Sequence, residues 1–167
     1  HNLEICVGVD GPDEETETWL KHQTSNFVDI KYVVLPEHKG ICTTTNEAVK
    51  LSTRRYVFIL DDDNIVSPGY DLNLEPYISE LNVLTTMQLE PGNKPVSPYL
   101  VSCDCGKDLE TFNEEVFLNK AKELANNSIT PGVNYPILLS KDLFFKVGAL
   151  DETFNKSACN DPDIFYR

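Results

Sequence analysis

The chain has 167 residues, 41% hydrophobic and 10% aromatic, enough for one domain that buries roughly 70% of the surface its unfolded form exposes, and neither disorder nor a disulfide-stapled miniature fits. Fourteen basic against 27 acidic residues leave a net charge of −13, which disfavours nucleic acid as a partner and lets a phosphorylated small substrate approach only where a bound cation reverses the local sign. Five cysteines without a CxxC pair read as reduced structural thiols, no stretch approaches the roughly 18 apolar residues of a membrane span, and with no signal peptide at the start the expected location is cytoplasmic.

Leu3 to Val9 alternates and is rich in β-branched residues before breaking at Asp10-Gly11-Pro12-Asp13, so it reads as a strand running into a turn. Acidic residues 13 to 17 suit the first turn of a helix carrying Trp19 and Leu20. A second strand is expected at Asp29 to Leu35, then a loop from Pro36 to Thr45 and a short helix through Asn46, Ala48, Val49 and Leu51. Tyr56-Val57-Phe58-Ile59-Leu60 is the strongest strand pattern, apolar on both faces as in a central parallel strand, and it stops at Asp61-Asp62-Asp63.

Further on, a helix is expected at Leu74 to Leu81, a proline-rich loop to Pro98 and a strand at Tyr99 to Cys103. Thr111 to Glu114 has the spacing of a capping box ahead of a helix with Val116, Phe117, Ala121 and Leu124. Pro136 to Leu139 reads as a strand, and Ser140 as the N-cap of a helix ending at Gly148. Strands alternating with helices, without repeats or a linker, indicate one α/β domain over residues 1–167 with a mostly parallel central sheet flanked by helices. The start at His1, without Met and almost inside a strand, suggests a piece of a longer protein, truncated at both ends.

Three places could carry chemistry. Alternation along the strand sends Asp61 and Asp63 to the same side where it emerges at its carboxyl end, the edge at which open α/β sheets bind ligands. Adjacent carboxylates repel one another, and their hard oxygens suit Mg²⁺, Mn²⁺ or Ca²⁺; a solvated acidic turn is the plain alternative. Neither this run nor Asp151 to Pro162 has the spacing of an EF-hand. Asp10, with Gly11 allowing close backbone approach, could accept hydrogen bonds from a base or sugar, or simply end a strand. Asn160-Asp161-Pro162-Asp163 could cap a helix or supply a general base. Cys103-Asp104-Cys105 reads as packing at alternate strand positions. Asn126-Asn127-Ser128 and Asn155-Lys156-Ser157 fit the N-glycosylation pattern.

Taken in order, these elements resemble the nucleotide-sugar-dependent glycosyltransferases of family 2, which have the Rossmann-like GT-A fold. Val7-Gly8-Val9-Asp10-Gly11-Pro12-Asp13 is similar to that family's DDGSxD turn, and Gly40 to Ala48 to its GxxxARNxG segment. Leu60-Asp61-Asp62-Asp63 matches the DXD motif, Val147 to Glu152 resembles VGGFDE, and Asn160 to Arg167 resembles EDxDLxxR, with Asn160 in place of the usual Glu. Neither the strand that the family carries before the Asp10 strand nor its acceptor-side segment is found in these residues.

The resemblance implies a nucleoside-diphosphate sugar donor, a glycan or other hydroxyl acceptor, and Mn²⁺ or Mg²⁺. It places Asp10, Gly11, Asn46, Asp61 and Asp62 in the nucleotide-sugar site, Asp61 and Asp63 on the metal, and Asp161 as the catalytic base of an inverting displacement. Strand alternation makes Asp62 the least direct of the three carboxylates. Two other readings compete: a catalytically inactive binding module of the same fold, and a sugar nucleotidyltransferase, whose basic Gly-rich phosphate loop is not seen in the sequence.

Overall fold

A computed structural model describes residues 3–26, 29–91, 100–125, 129–156 and 160–167. In chain order its first elements are β1 (Ile5–Val9), α1 (Glu14–Asn26), β2 (Ile30–Val34), α2 (Ile41–Leu51), β3 (Tyr56–Ile59), α3 (Tyr70–Leu74), β4 (Leu84–Thr85) and β5 (Gln88–Glu90). β6 (Leu100–Ser102), α4 (Glu114–Leu124), β7 (Ile137–Ser140), α5 (Lys141–Lys146) and α6 (Asn160–Tyr166) follow. The chain, read from its sequence as a single domain, divides into two compact units: residues 1–59, 79–83 and 138–167 form one, and residues 60–78 and 84–137 the other.

The α/β class holds, but among the described residues the strands form small sheets rather than one continuous parallel sheet. β1 and β2 pair in parallel, from Ile5 opposite Ile30 to Val9 opposite Val34. β3 lies beside β7, and in the second unit β5 pairs in parallel with β6. An apolar run specifies a strand, whereas its neighbour is chosen by which faces and registers find cover, and these strands are too short to declare that.

In the first unit α2 packs on β1 and β2, and α1 on β2. Leu20, Cys42, Leu139, Phe144 and Leu150 are buried there. Asp13 opens α1 as the sequence indicates: its carboxylate accepts from the Glu15 amide at 3.2 Å and from the Thr16 hydroxyl at 2.5 Å, with Glu14, Glu15 and Glu17 at the favourable end of the helix dipole. Of the two apolar residues expected to anchor this helix, Leu20 is 1% exposed while Trp19 is 59% exposed and faces solvent.

Several element boundaries differ from the sequence reading, each for a local reason. α2 begins at Ile41, inside the expected loop, because bonds from distant residues hold its first turn. The helix expected over 74–81 lies earlier, at Tyr70–Leu74, and only a single 3-10 turn follows at Glu75–Tyr77, where Pro76 has no N–H to continue the α-helical bonds. Thr111 does not cap α4; its hydroxyl donates to Asp108 at 2.6 Å, and Asn113 takes the cap by accepting from the Val116 amide at 3.1 Å. Ser140 caps α5 as expected, accepting from the Leu143 amide at 3.0 Å.

The cysteines behave as structural residues. Cys6, Cys103 and Cys105 are free thiols, and Cys42, Cys103 and Cys105 are buried. Burial pushes the Cys6 and Cys103 thiols up, away from the reactive thiolate form. Cys159 lies outside the described residues, as does the Asn126-Asn127-Ser128 pattern. No helix among the described residues is long and apolar enough to cross a membrane.

Glu4, just before β1, staples the first unit. Its carboxylate is inaccessible to solvent and pairs with Lys31, while accepting from the Thr53 amide at 2.8 Å and the Ser52 hydroxyl at 3.3 Å. The Lys31 hydrogen bond, against the opposing effect of burial, brings its pKa from 4.5 down to about 2. A depressed carboxylate pKa contributes stability that is complete above the unfolded value and is lost as pH falls through the folded one. Urea denaturation should therefore show the parent losing stability between pH 4.5 and pH 2. Glu4→Gln should lose roughly 2 kcal/mol at pH 7, allowing for screening at the partly exposed Lys31, and should show a shallower acid limb than the parent.

Candidate active site

The start of α2 collects most of the first unit's proposed site residues. Asp10 follows β1, and its carboxylate accepts from the Lys39 amide at 2.7 Å and from the Gly40 amide at 3.0 and 3.1 Å. Burial pushes this carboxyl up, but the amides of Lys39 and Gly40, the Thr44 hydroxyl and the His38 charge outweigh it and hold Asp10 below the usual aspartate value. It is therefore ionised at neutral pH, with its position fixed by the backbone ahead of α2. Gly11 has φ 96°, and the His38 ring occupies the place where a Cβ would be, 2.8 Å from its Nδ1. His38 Nδ1 is itself 3.9 Å from Asp10.

Asn155 caps the same helix from far along the chain. Its Oδ1 accepts from the Thr43 amide at 3.0 Å and its Nδ2 donates to the Thr43 hydroxyl at 2.9 Å. The amide nitrogen that a glycan would occupy is thus engaged in the fold. In the second turn of α2, buried Asn46 reads the backbone of Leu150 in both directions: Oδ1 accepts from its N–H at 3.0 Å and Nδ2 donates to its C=O at 2.9 Å. Nδ2 also reaches Glu152 at 3.2 Å. Asn46 was expected beside the nucleotide sugar; its amide is seen clasping the segment between α5 and α6.

That segment is held a second time by Arg167, whose Nη1 donates to the Val147 carbonyl at 2.9 Å and Nη2 to the Ala149 carbonyl at 2.7 Å. The same guanidinium pairs with Asp163 at 2.6 Å. Asp161 falls in the first turn of α6, while its side chain lies outside the described residues. Sequence reasoning did not assign roles to Asn155, Glu152 or Arg167. Asn155 was visible only as part of an Asn-Lys-Ser pattern and Arg167 only as the last letter of a motif, because both act through contacts that no spacing rule encodes.

The acidic run opens the second unit, directly after β3. Asp61 is half-buried, and Asp62 and Asp63 are exposed in a turn. The Asn64 amide nitrogen donates to Asp63 Oδ1 at 2.6 Å, and the Asn64 N–H donates to the Asp61 carbonyl at 3.2 Å. Burial, followed by the charges of Asp63 and then Asp62, pushes the Asp61 carboxyl up. No group of three or more His, Cys, Asp or Glu side chains is gathered for a metal among the described residues. The donors at this turn are hard carboxylate oxygens, which fits Mg²⁺ or Mn²⁺, ions usually held by one or two carboxylates plus water and substrate phosphates.

The model of one protein family, glycosyl transferase family 2, matches residues 1–99, more than half of the chain. The chain belongs to glycosyl transferase family 2. The match takes in both the Asp10 turn and the Asp61 to Asp63 run. Among characterised glycosyltransferases, a chondroitin synthase of Escherichia coli is 28% identical over 83 residues, which is 49% of this chain but 12% of that protein. No solved structure matches the chain.

Proposed function

We propose that the chain carries the donor site of an inverting, divalent-cation-dependent glycosyltransferase that uses a nucleoside-diphosphate sugar. The observation that carries this reading is the acidic turn within the family-matched residues, directly after β3, where Asp61 is half-buried and its neighbours' charges oppose its ionisation. A cation would reverse that opposition, and it removes the conflict between a net charge of −13 and a pyrophosphate ligand.

In this reading Asp61 and Asp63 hold Mn²⁺ or Mg²⁺, and Asp10, Gly11 and Asp62 face the nucleotide. Asn46, which the family resemblance puts in the donor site, spends its amide on Leu150 and Glu152 and in this reading holds α2 in place rather than touching the nucleotide. Asp161 accepts the proton of an acceptor hydroxyl as its oxygen attacks the anomeric carbon, and the bond to the nucleoside diphosphate breaks from the opposite face. The cation's chemical contribution would be charge neutralisation on the departing diphosphate. General-base help from Asp161 is worth on the order of 10²–10⁴ in rate.

Calorimetric titration with UDP, GDP and dTDP in the presence of Mn²⁺ tests the donor site. Saturable, cation-dependent binding of one nucleotide is expected, and Asp63→Ala should abolish it. Asp161→Asn should keep the binding and stop transfer in the complete protein. If no nucleotide binds with any divalent cation, the donor-site reading fails; cation-dependent binding without turnover would favour an inactive module.

A further inference from the structure

We infer that Arg167 is a positioning residue, a clamp whose bonds to the Val147 and Ala149 carbonyls fix the placement of α6 and, with it, of Asp161 in its first turn. The inference rests on the proposed role of Asp161 and extends it to a part of the chain that the family match over residues 1–99 does not reach.

The segment leaving α5 is shaped to receive a guanidinium. Gly148 has φ 97° and Ala149 φ 59°, two consecutive residues in the left-handed region, one of them with a side chain that makes this conformation uncommon. The Val147 and Ala149 carbonyls flank that turn, and both accept from Arg167, at 2.9 and 2.7 Å. A Cβ on Gly148 would stand 3.1 Å from Arg167 Nη1, so the guanidinium lies close over the turn. Two nitrogens of a rigid planar fork reaching two carbonyls fix direction as well as distance, which a lysine's single ammonium does not reproduce.

The rest of α6 is anchored consistently. Asp163, one turn before Arg167, pairs with the same guanidinium at 2.6 Å, and Ile164 between them is 4% exposed. Through Leu150 the clamped turn is joined to Asn46 on α2, and through Asn155 to Thr43. α6 is therefore referenced to the same helix whose start fixes Asp10. Asp161 lies at the far end of α6 from Arg167, about 9 Å away along a helix rising 1.5 Å per residue. A loosened clamp would tilt the general base rather than remove it.

The test uses the complete protein, with rates taken per folded molecule. Arg167→Ala should lower kcat by about 10²-fold, the order expected when a reacting group is misplaced by about 1 Å, and leave the donor KM unchanged because the nucleotide site is not touched. Added guanidinium should restore part of the Arg167→Ala rate, and Arg167→Lys should recover less than guanidinium does. Amide hydrogen exchange should accelerate in 163–166 and at 149–150 while β1 and β2 remain protected. A folded Arg167→Ala variant with kcat within twofold of the parent overturns the inference and, if Asp161→Asn is inactive, leaves the general-base reading standing. A fall in kcat that guanidinium does not relieve, or one matched by a rise in donor KM, also overturns it. If Asp161→Asn transfers normally, both ideas fall.

Discussion

Asn46→Ala is expected to destabilise the first unit by about 3 kcal/mol, because it leaves a buried N–H and a buried C=O of Leu150 without partners, each worth about 1–3 kcal/mol when orphaned. The side chain is 4% exposed, so water cannot readily replace the lost amide, and the two bonds at 3.0 and 2.9 Å are made to both polar groups of one residue. The effect should appear in the urea midpoint with little change in its slope. Asn46→Asp is the sharper variant. It is nearly isosteric, yet it would point an acceptor at the Leu150 carbonyl and at Glu152, where Nδ2 now donates at 2.9 and 3.2 Å. Asn46→Asp should therefore be at least as damaging as Asn46→Ala at pH 7 and should recover on acidification, when the new carboxyl can donate. Equal stability of all three proteins would show that the amide clasp does not form in solution.

How much of this was legible in the sequence depended on whether a feature is set by neighbours along the chain. Ser140 and Gly148 bracket α5 through bonds within a few residues, and both could be read directly from their types. The family resemblance likewise rested on short runs, and the match over residues 1–99 bears it out. α2 was harder. Thr43-Thr44-Thr45 is a β-branched run with a poor helix propensity, and contacts from Asn155, more than a hundred residues away, and from Asp10 hold it as a helix. Trp19 and Leu20 show the same limit at the level of packing, since adjacent helix positions of similar hydropathy face in different directions. The acidic run was legible as chemistry, because three consecutive aspartates carry their repulsion wherever they sit. The clamp at Arg167 was not, since carbonyls have no signature in the sequence.

The second large effect is expected at Gly40, which joins the two polar sets of the first unit at the start of α2. Its φ of 100° and ψ of 168° lie in a region open essentially to glycine alone, where another residue costs on the order of 1–3 kcal/mol. Space adds to conformation: a Cβ there would stand 2.7 Å from both the Asn155 Cβ and the Asn155 carbonyl oxygen. The carbonyl belongs to the backbone and cannot swing aside. Gly40→Ala should therefore move Asn155, and with it the bonds at 3.0 and 2.9 Å to Thr43 that cap α2. The Gly40 amide donates to Asp10, so the same substitution should disturb that carboxylate. A loss of more than about 3 kcal/mol is expected from strain and clash together. The comparison that isolates the cause is Asn155→Gly combined with Gly40→Ala. Removing the Asn155 side chain relieves its part of the clash but not the backbone strain, so the double variant should lose less than the sum of the two single losses. Strict additivity would mean that Gly40 and Asn155 do not touch, and that α2 begins by some other means.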